Sequence, residues 1–176
     1  MNFIIAQILG IIAGLLSAMA IQTKSKRKYL LIYSISYVFF ILNMILLKAY
    51  SGAINNVISL VLSLISMKYE KKKFPTWMLI FFVIAIFAGS ALTYQNVFSI
   101  LPSIATFLYL FILLSKNMRN IRTINLITKA LWTIYDFISK AYTTFVIDVI
   151  ALISAIIAKG RYDKKKTKWF NLKYHL

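Results

Sequence analysis

The feature that most constrains this 176-residue chain is a rhythm in which apolar runs of fifteen to twenty residues alternate with short clusters of lysine and arginine. Hydrocarbon about 30 Å thick takes about 20 apolar residues per helical crossing, with a working range of ~17 to 25. The spacing predicts an all-α, polytopic membrane protein with seven transmembrane helices: Asn2 to Ile21, Tyr29 to Leu47, Ala53 to Met67, Thr76 to Leu92, Phe98 to Leu114, Thr123 to Ser139 and Thr143 to Ala158. The third and seventh runs are short for a crossing, and either extend a turn or so into their flanks or sit where the bilayer thins. Composition agrees: 61% of residues are hydrophobic and 14% charged, against about a quarter charged in an ordinary soluble domain. No stretch is left over for a soluble domain. Asn2 to Ser17 followed by Ala18-Met19-Ala20 imitates a cleavable signal. With Lys24, Lys26, Arg27 and Lys28 directly after it, the run reads as a retained first helix.

The formal net charge of +17 is placed at the ends of the apolar runs. If all seven runs cross, eighteen of the 21 basic residues fall on one side, in the loops after runs one, three and five and in the tail from Lys159. Lys48 and Lys140 fall on the other side, and Lys129 lies within run six. The positive-inside rule then puts the N-terminus outside and the tail in the cytoplasm, with the basic clusters against anionic headgroups. That placement argues against nucleic acid as a partner.

An offset of 92 aligns Lys24–Lys73 with Lys116–Lys165 without gaps. Lys48-Ala49-Tyr50 falls on Lys140-Ala141-Tyr142, Arg27 on Arg119, and Lys72-Lys73 on Lys164-Lys165. This pattern divides the chain into a first three-helix repeat (1–67), a linker helix (76–92), a second three-helix repeat (98–158) and a basic tail (159–176). Parallel repeats of this kind form transporters whose substrate site lies between the copies.

Leu101-Pro102-Ser103-Ile104-Ala105-Thr106, Trp132-Thr133-Ile134-Tyr135-Asp136-Phe137 and Asp148, with the Lys48-Ala49-Tyr50-Ser51-Gly52 turn, resemble the YgjV-type bacterial inner membrane proteins. More distantly, the three-one-three layout is similar to the SWEET sugar facilitators and the PnuC vitamin transporters. The SWEET resemblance implies substrate-contacting positions at Asn56 and Asp148. This chain departs from SWEET proteins in keeping only Pro102 on its core helices, with Gly10 at the matching position, and in carrying an acid where the second asparagine stands.

Residues three and four apart share a helix face. Gly52, Asn56, Ser59, Ser63 and Ser66 form one stripe, and Thr144, Asp148, Ala151, Ala155 and Ala158 form its counterpart. Small residues and hydroxyls there suit close helix packing. A carboxylate within a span is costly, at least ~2.5 to 3.5 kcal/mol, which makes Asp148 a functional candidate, a structural ion-pair partner or a proton carrier. Asn125, Lys129, Trp132, Asp136 and Lys140 share a face of run six. Asp136 and Lys140 are spaced to pair at i, i+4. Lys129 either reaches water, neutralises Asp148 or lines a pathway, and Trp132 either packs or stacks on a solute. Trp77 beside Pro75 reads as an interface anchor, and Gly10-x-x-x-Gly14 as a close-approach face.

The lone histidine, His175, lies in the tail, and no phosphate loop or metal-ligand spacing occurs, so neither enzymatic activity nor a cofactor nor a metal is expected. Two functional readings remain. One is a transporter or facilitator of a small polar solute, bound by Asn56, Lys129, Trp132 and Asp148. The other is a non-transporting membrane protein that binds a partner in an immunity or assembly role. A homo-oligomeric contact through the glycines stays open.

Overall fold

The computed structural model describes residues 2–69, 74–115 and 117–173; side chains 154, 158, 159 and those from 161 onward lie outside the described part. Lys71 to Lys73, Lys116, Ala158 and the basic side chains of the tail therefore fall outside it. The elements are α1 (Asn2–Ile21), α2 (Lys26–Leu46), α3 (Tyr50–Lys68), α4 (Thr76–Leu92), a 3-10 turn at Val97–Ser99, α5 (Ile100–Leu114), α6 (Met118–Ile138) and α7 (Tyr142–Lys173). No strand occurs among the described residues.

Six helices close a ring: α1 packs on α2, α2 on α3, α3 on α5, α5 on α6, α6 on α7, and α7 returns to α1. α4 lies outside the ring against α3 and α5. The distribution of side chains is that of a molecule dissolved in lipid. Ala6, Ala13, Ser17, Ala20, Ser36, Ser51 and Ser63 are fully buried, while Ile4, Leu15, Ile84, Phe87, Ile153 and Ile157 are exposed. In hydrocarbon, large aliphatic side chains gain little by leaving the lipid, so small residues that bring backbones together take the helix contacts.

Three helices start three or more residues earlier than their apolar runs. Lys26, Arg27 and Lys28 belong to α2, although cations are disfavoured at a helix N-terminus. The Lys26 ammonium donates to the carbonyls of Leu113 and Ser115, the second at 2.9 Å, and so covers the negative end of α5. α6 begins at Met118 because the Asn117 side chain accepts a hydrogen bond from the Arg119 N–H at 3.0 Å, which caps the helix. α3 starts at Tyr50, about one turn into the flank of its apolar run, and its 19 residues make it long enough to cross. α1, α2, α3 and the Val97–Leu114 segment are long and apolar enough to span a membrane, whereas α4 and the apolar part of α7, Tyr142–Ile157, are shorter. α7 runs on through the basic stretch to Lys173.

The ends of α2 and α6 are built alike. Lys48 (φ 58°) and Lys140 (φ 60°) are the two described non-glycine residues in the left-handed region. The N–H of Ala49 reaches the carbonyl of Met44, and that of Ala141 reaches the carbonyl of Asp136, each at 2.9 Å. This is the bonding of a Schellman cap. It occurs twice, 92 residues apart, on the Lys-Ala-Tyr segments singled out in the sequence.

Candidate functional site

The ring encloses a cavity of about 30 Å³ lined by α2, α3, α5, α6 and α7, which is room for one or two waters. Asn56 (α3), Lys129 and Trp132 (α6) and Asp148 (α7) all line it, so the structure gathers the four residues that sequence patterning singled out. Asn56, Lys129 and Asp148 are 3%, 5% and 1% exposed. The Lys129 Nζ lies 2.7 Å from Asp148 Oδ1 and donates to Ser17 Oγ at 3.1 Å, which ties α6 to α7 and α1. It also stands 5.5 Å from the centre of the Phe40 ring. Of the three fates open to Lys129, it neutralises Asp148 on the cavity wall. Trp132 packs edge-on against Tyr135, with ring centres 6.0 Å apart, while the Tyr135 hydroxyl accepts from the Gly52 N–H at 3.0 Å.

Asp136 is a correction. The helical spacing predicts a pair with Lys140, but Lys140 takes the left-handed turn that ends α6, so the regular i, i+4 geometry is lost. Asp136 is instead 1% exposed and lines the cavity, close enough to feel the charges of Asp148 and Lys129. Its Oδ1 and the Oδ2 of Asp148 have no hydrogen-bond partner among the described residues.

The sequence reading also passed over the tyrosines. Tyr29, Tyr33 and Tyr37 stack along α2 with ring centres 4.7 and 5.6 Å apart, and Tyr109 of α5 meets Tyr37 edge-on at 5.9 Å. The spacing of four was the available signal, because it puts all three on one face. Asn125 donates to the hydroxyls of Tyr29 (2.7 Å) and Tyr33 (3.2 Å), and Tyr109 shares a 2.7 Å hydrogen bond with Ser63. Ser59 lines the cavity, and Ser63, Ser66, Thr144, Ala151 and Ala155 are buried, so both small-residue stripes face inward.

The chamber thus has aromatic walls, an amide at Asn56, an ion pair and a second carboxylate. Such a set can hydrogen-bond a polar solute and favours a positive over a negative one. Among the described residues, no three His, Cys, Asp or Glu side chains converge for a multivalent metal. No curated protein and no solved structure matches the sequence. The profile of the Imp-YgjV family, described as bacterial inner membrane protein, matches residues 4–166. That match covers α2 to α6 entirely and most of α1 and α7, and the chain belongs to this family of bacterial inner membrane proteins.

Proposed function

We propose that this protein carries a small polar solute across the inner membrane through the cavity at the centre of the ring, with α1–α3 and α5–α7 as two parallel repeats that move against each other. The observation that carries this reading is the enclosed polar chamber between the two sets of helices, lined by Asn56, Trp132 and the Lys129–Asp148 pair. Charged groups deep within membrane helices mark solute and ion pathways more often than they serve packing. The twin caps at Lys48 and Lys140 support the repeat, as does the matched burial of Ala13 with Ala105, Tyr33 with Asn125, and Asn56 with Asp148. A volume of about 30 Å³ corresponds to a closed form that must open to admit a solute. The same small volume favours a second reading, a packed partner-binding protein.

The test is uptake of a panel of polar and weakly cationic solutes into vesicles at matched protein levels. Asn56→Ala and Trp132→Phe should each lower uptake several-fold while membrane level and unfolding temperature stay near wild type. If no solute enters faster than into empty vesicles, the partner-binding reading stands instead.

The orientation that goes with this proposal has the N-terminus outside and the tail cytoplasmic, and the eighteen-to-two division of basic residues across seven spans supports it. Tyr94, exposed in the turn after α4, and Lys24, exposed in the turn after α1, are suitable reporters. Single cysteines at these positions should react with an impermeant maleimide from opposite faces, Tyr94→Cys in intact cells and Lys24→Cys only after lysis. Labelling of both in intact cells would refute the seven-span topology.

A further inference from the structure

The buried charges of the cavity do not balance. Asp136 and Asp148 are each 1% exposed, Lys129 is the single cation lining the same space, and its Nζ is committed to Asp148 Oδ1 at 2.7 Å. Arg122, on the same helix, lies seven residues from Lys129, about 10 Å along the axis at 1.5 Å per residue, and does not line the cavity. With both carboxyls ionised, one negative charge therefore remains in a cavity bordered by five helices. Leaving a carboxylate there without a counter-charge costs several kcal/mol.

Three features show where the missing charge belongs. Asp136 Oδ1 and Asp148 Oδ2 are buried acceptors without a partner among the described residues. The two carboxylates sit on adjoining antiparallel helices joined by the short turn at Ser139 to Ala141, and both line the same cavity. Asn56, 3% exposed and with no side-chain hydrogen bond among the described residues, lines the same cavity from α3. Two carboxylate oxygens and an amide are hard oxygen donors, the type that binds alkali and alkaline-earth cations rather than soft metals. The deficit of one charge selects the monovalent class, and the cavity volume of about 30 Å³ suits one such ion with a water.

We propose that this protein binds one alkali cation in its central cavity, between Asp136 and the free oxygen of Asp148, with Asn56 completing the oxygen shell. The Lys129–Asp148 pair holds the second carboxylate in place and leaves one of its oxygens for the ion. If the cavity carries solute, the ion is its co-substrate, and that role rests on the transport reading above. The binding itself does not.

The experiment is equilibrium binding of radioactive sodium to the purified protein in detergent, at fixed ionic strength balanced with N-methyl-D-glucamine, with unfolding temperature followed in parallel in sodium, potassium and N-methyl-D-glucamine chloride. A ligand that binds only the folded state raises the unfolding temperature saturably. The expected result is one sodium per chain at saturation and a matching rise in unfolding temperature. Asp136→Asn, which leaves the Lys129–Asp148 pair intact, should abolish both and stay folded without added salt. A second variant, Asn56→Ala, should weaken binding without removing it.

Sodium and potassium acting no differently from N-methyl-D-glucamine would overturn the proposal. So would sodium binding that survives Asp136→Asn. A stability that rises as the pH falls, with no alkali dependence, would assign the missing charge to a proton among Asp136, Asp148, Lys129 and the facing Tyr33, Tyr37 and Tyr109, and would also overturn it. Sodium binding without solute uptake in vesicles would refute transport alone, and uptake without sodium binding would refute the ion site alone.

Discussion

Replacing Asp148 with asparagine is expected to cost about 3–5 kcal/mol of stability, the usual result of removing one partner from a buried ion pair. The Lys129 ammonium is the reason. Its side chain is 6% exposed, its two polar contacts are Asp148 Oδ1 and Ser17 Oγ, and an amide in place of the carboxylate keeps an acceptor but removes the charge in contact with the ammonium, leaving Asp136 on the cavity wall as the nearest anion. Lys129→Met should be costly for the mirror-image reason, because it deprives the Asp148 carboxylate of its neutralising charge. The double variant Lys129→Met/Asp148→Asn should recover most of the loss, since replacing both partners of a buried pair is often neutral or better. Unfolding of the four proteins in detergent, followed by circular dichroism, measures the cycle. If the double variant loses the sum of the two single losses, the pair is not the source of the stability. The base comes from α6, in one of the three roles that the sequence left open for Lys129.

Bulk added at Gly14 or Gly10 should open the ring. A Cβ on Gly14 would lie 2.6 Å from Ile147 Cγ2, and one on Gly10 would overlap the Thr144 hydroxyl. Both contacts are to α7, across the α1–α7 contact that joins the first helix to the last. Forcing extra atoms into a packed seam costs about 1–3 kcal/mol, so Gly14→Val and Gly10→Val should each lower the unfolding temperature in detergent by several degrees. Ile147→Ala should relieve Gly14→Val in part and leave Gly10→Val unrelieved. Gly160→Ala is the control, because a Cβ there meets nothing within 4 Å. Equal effects at Gly14 and Gly160 would mean that the seam is not a tight contact.

Much of the fold was legible because the bilayer imposes a length rule that an apolar run either meets or misses. The apolar runs mark the seven helices, although α4, α6 and the apolar part of α7 fall short of that rule, and the inward stripes on α3 and α7 follow from helical periodicity. Asn56 and Asp148 stood out because polar and charged side chains are rare in such runs. The helix starts were not legible, because Lys26 and Arg119 enter their helices through contacts with a neighbouring helix end and a capping amide, neither visible as periodicity. Asp136 was misread for a related reason. The i, i+4 rule presumes that the helix continues, and Lys140 sits where it stops. The tyrosines of α2 were passed over because, among so many apolar residues, an aromatic looks like packing until a second helix brings Asn125 to their hydroxyls.

The Lys129–Asp148 pair also bears on how the chain enters the membrane. α6 is not among the helices apolar enough to span a membrane unaided, and a lysine or aspartate at the centre of a helix adds about 2.5–3.5 kcal/mol to the cost of insertion. Synthesis runs from the N-terminus, so Lys129 and Asp136 leave the ribosome before Asp148 exists to offset either the charge or the polarity. α6 therefore has reason to linger at the insertion machinery until α7 arrives, and the two would enter the lipid together as a hairpin with its charges already joined. The turn at Ser139 to Ala141 is short enough to make that pairing immediate. On this view the buried ion pair is a licence for the least apolar helix of the ring to be in the membrane at all.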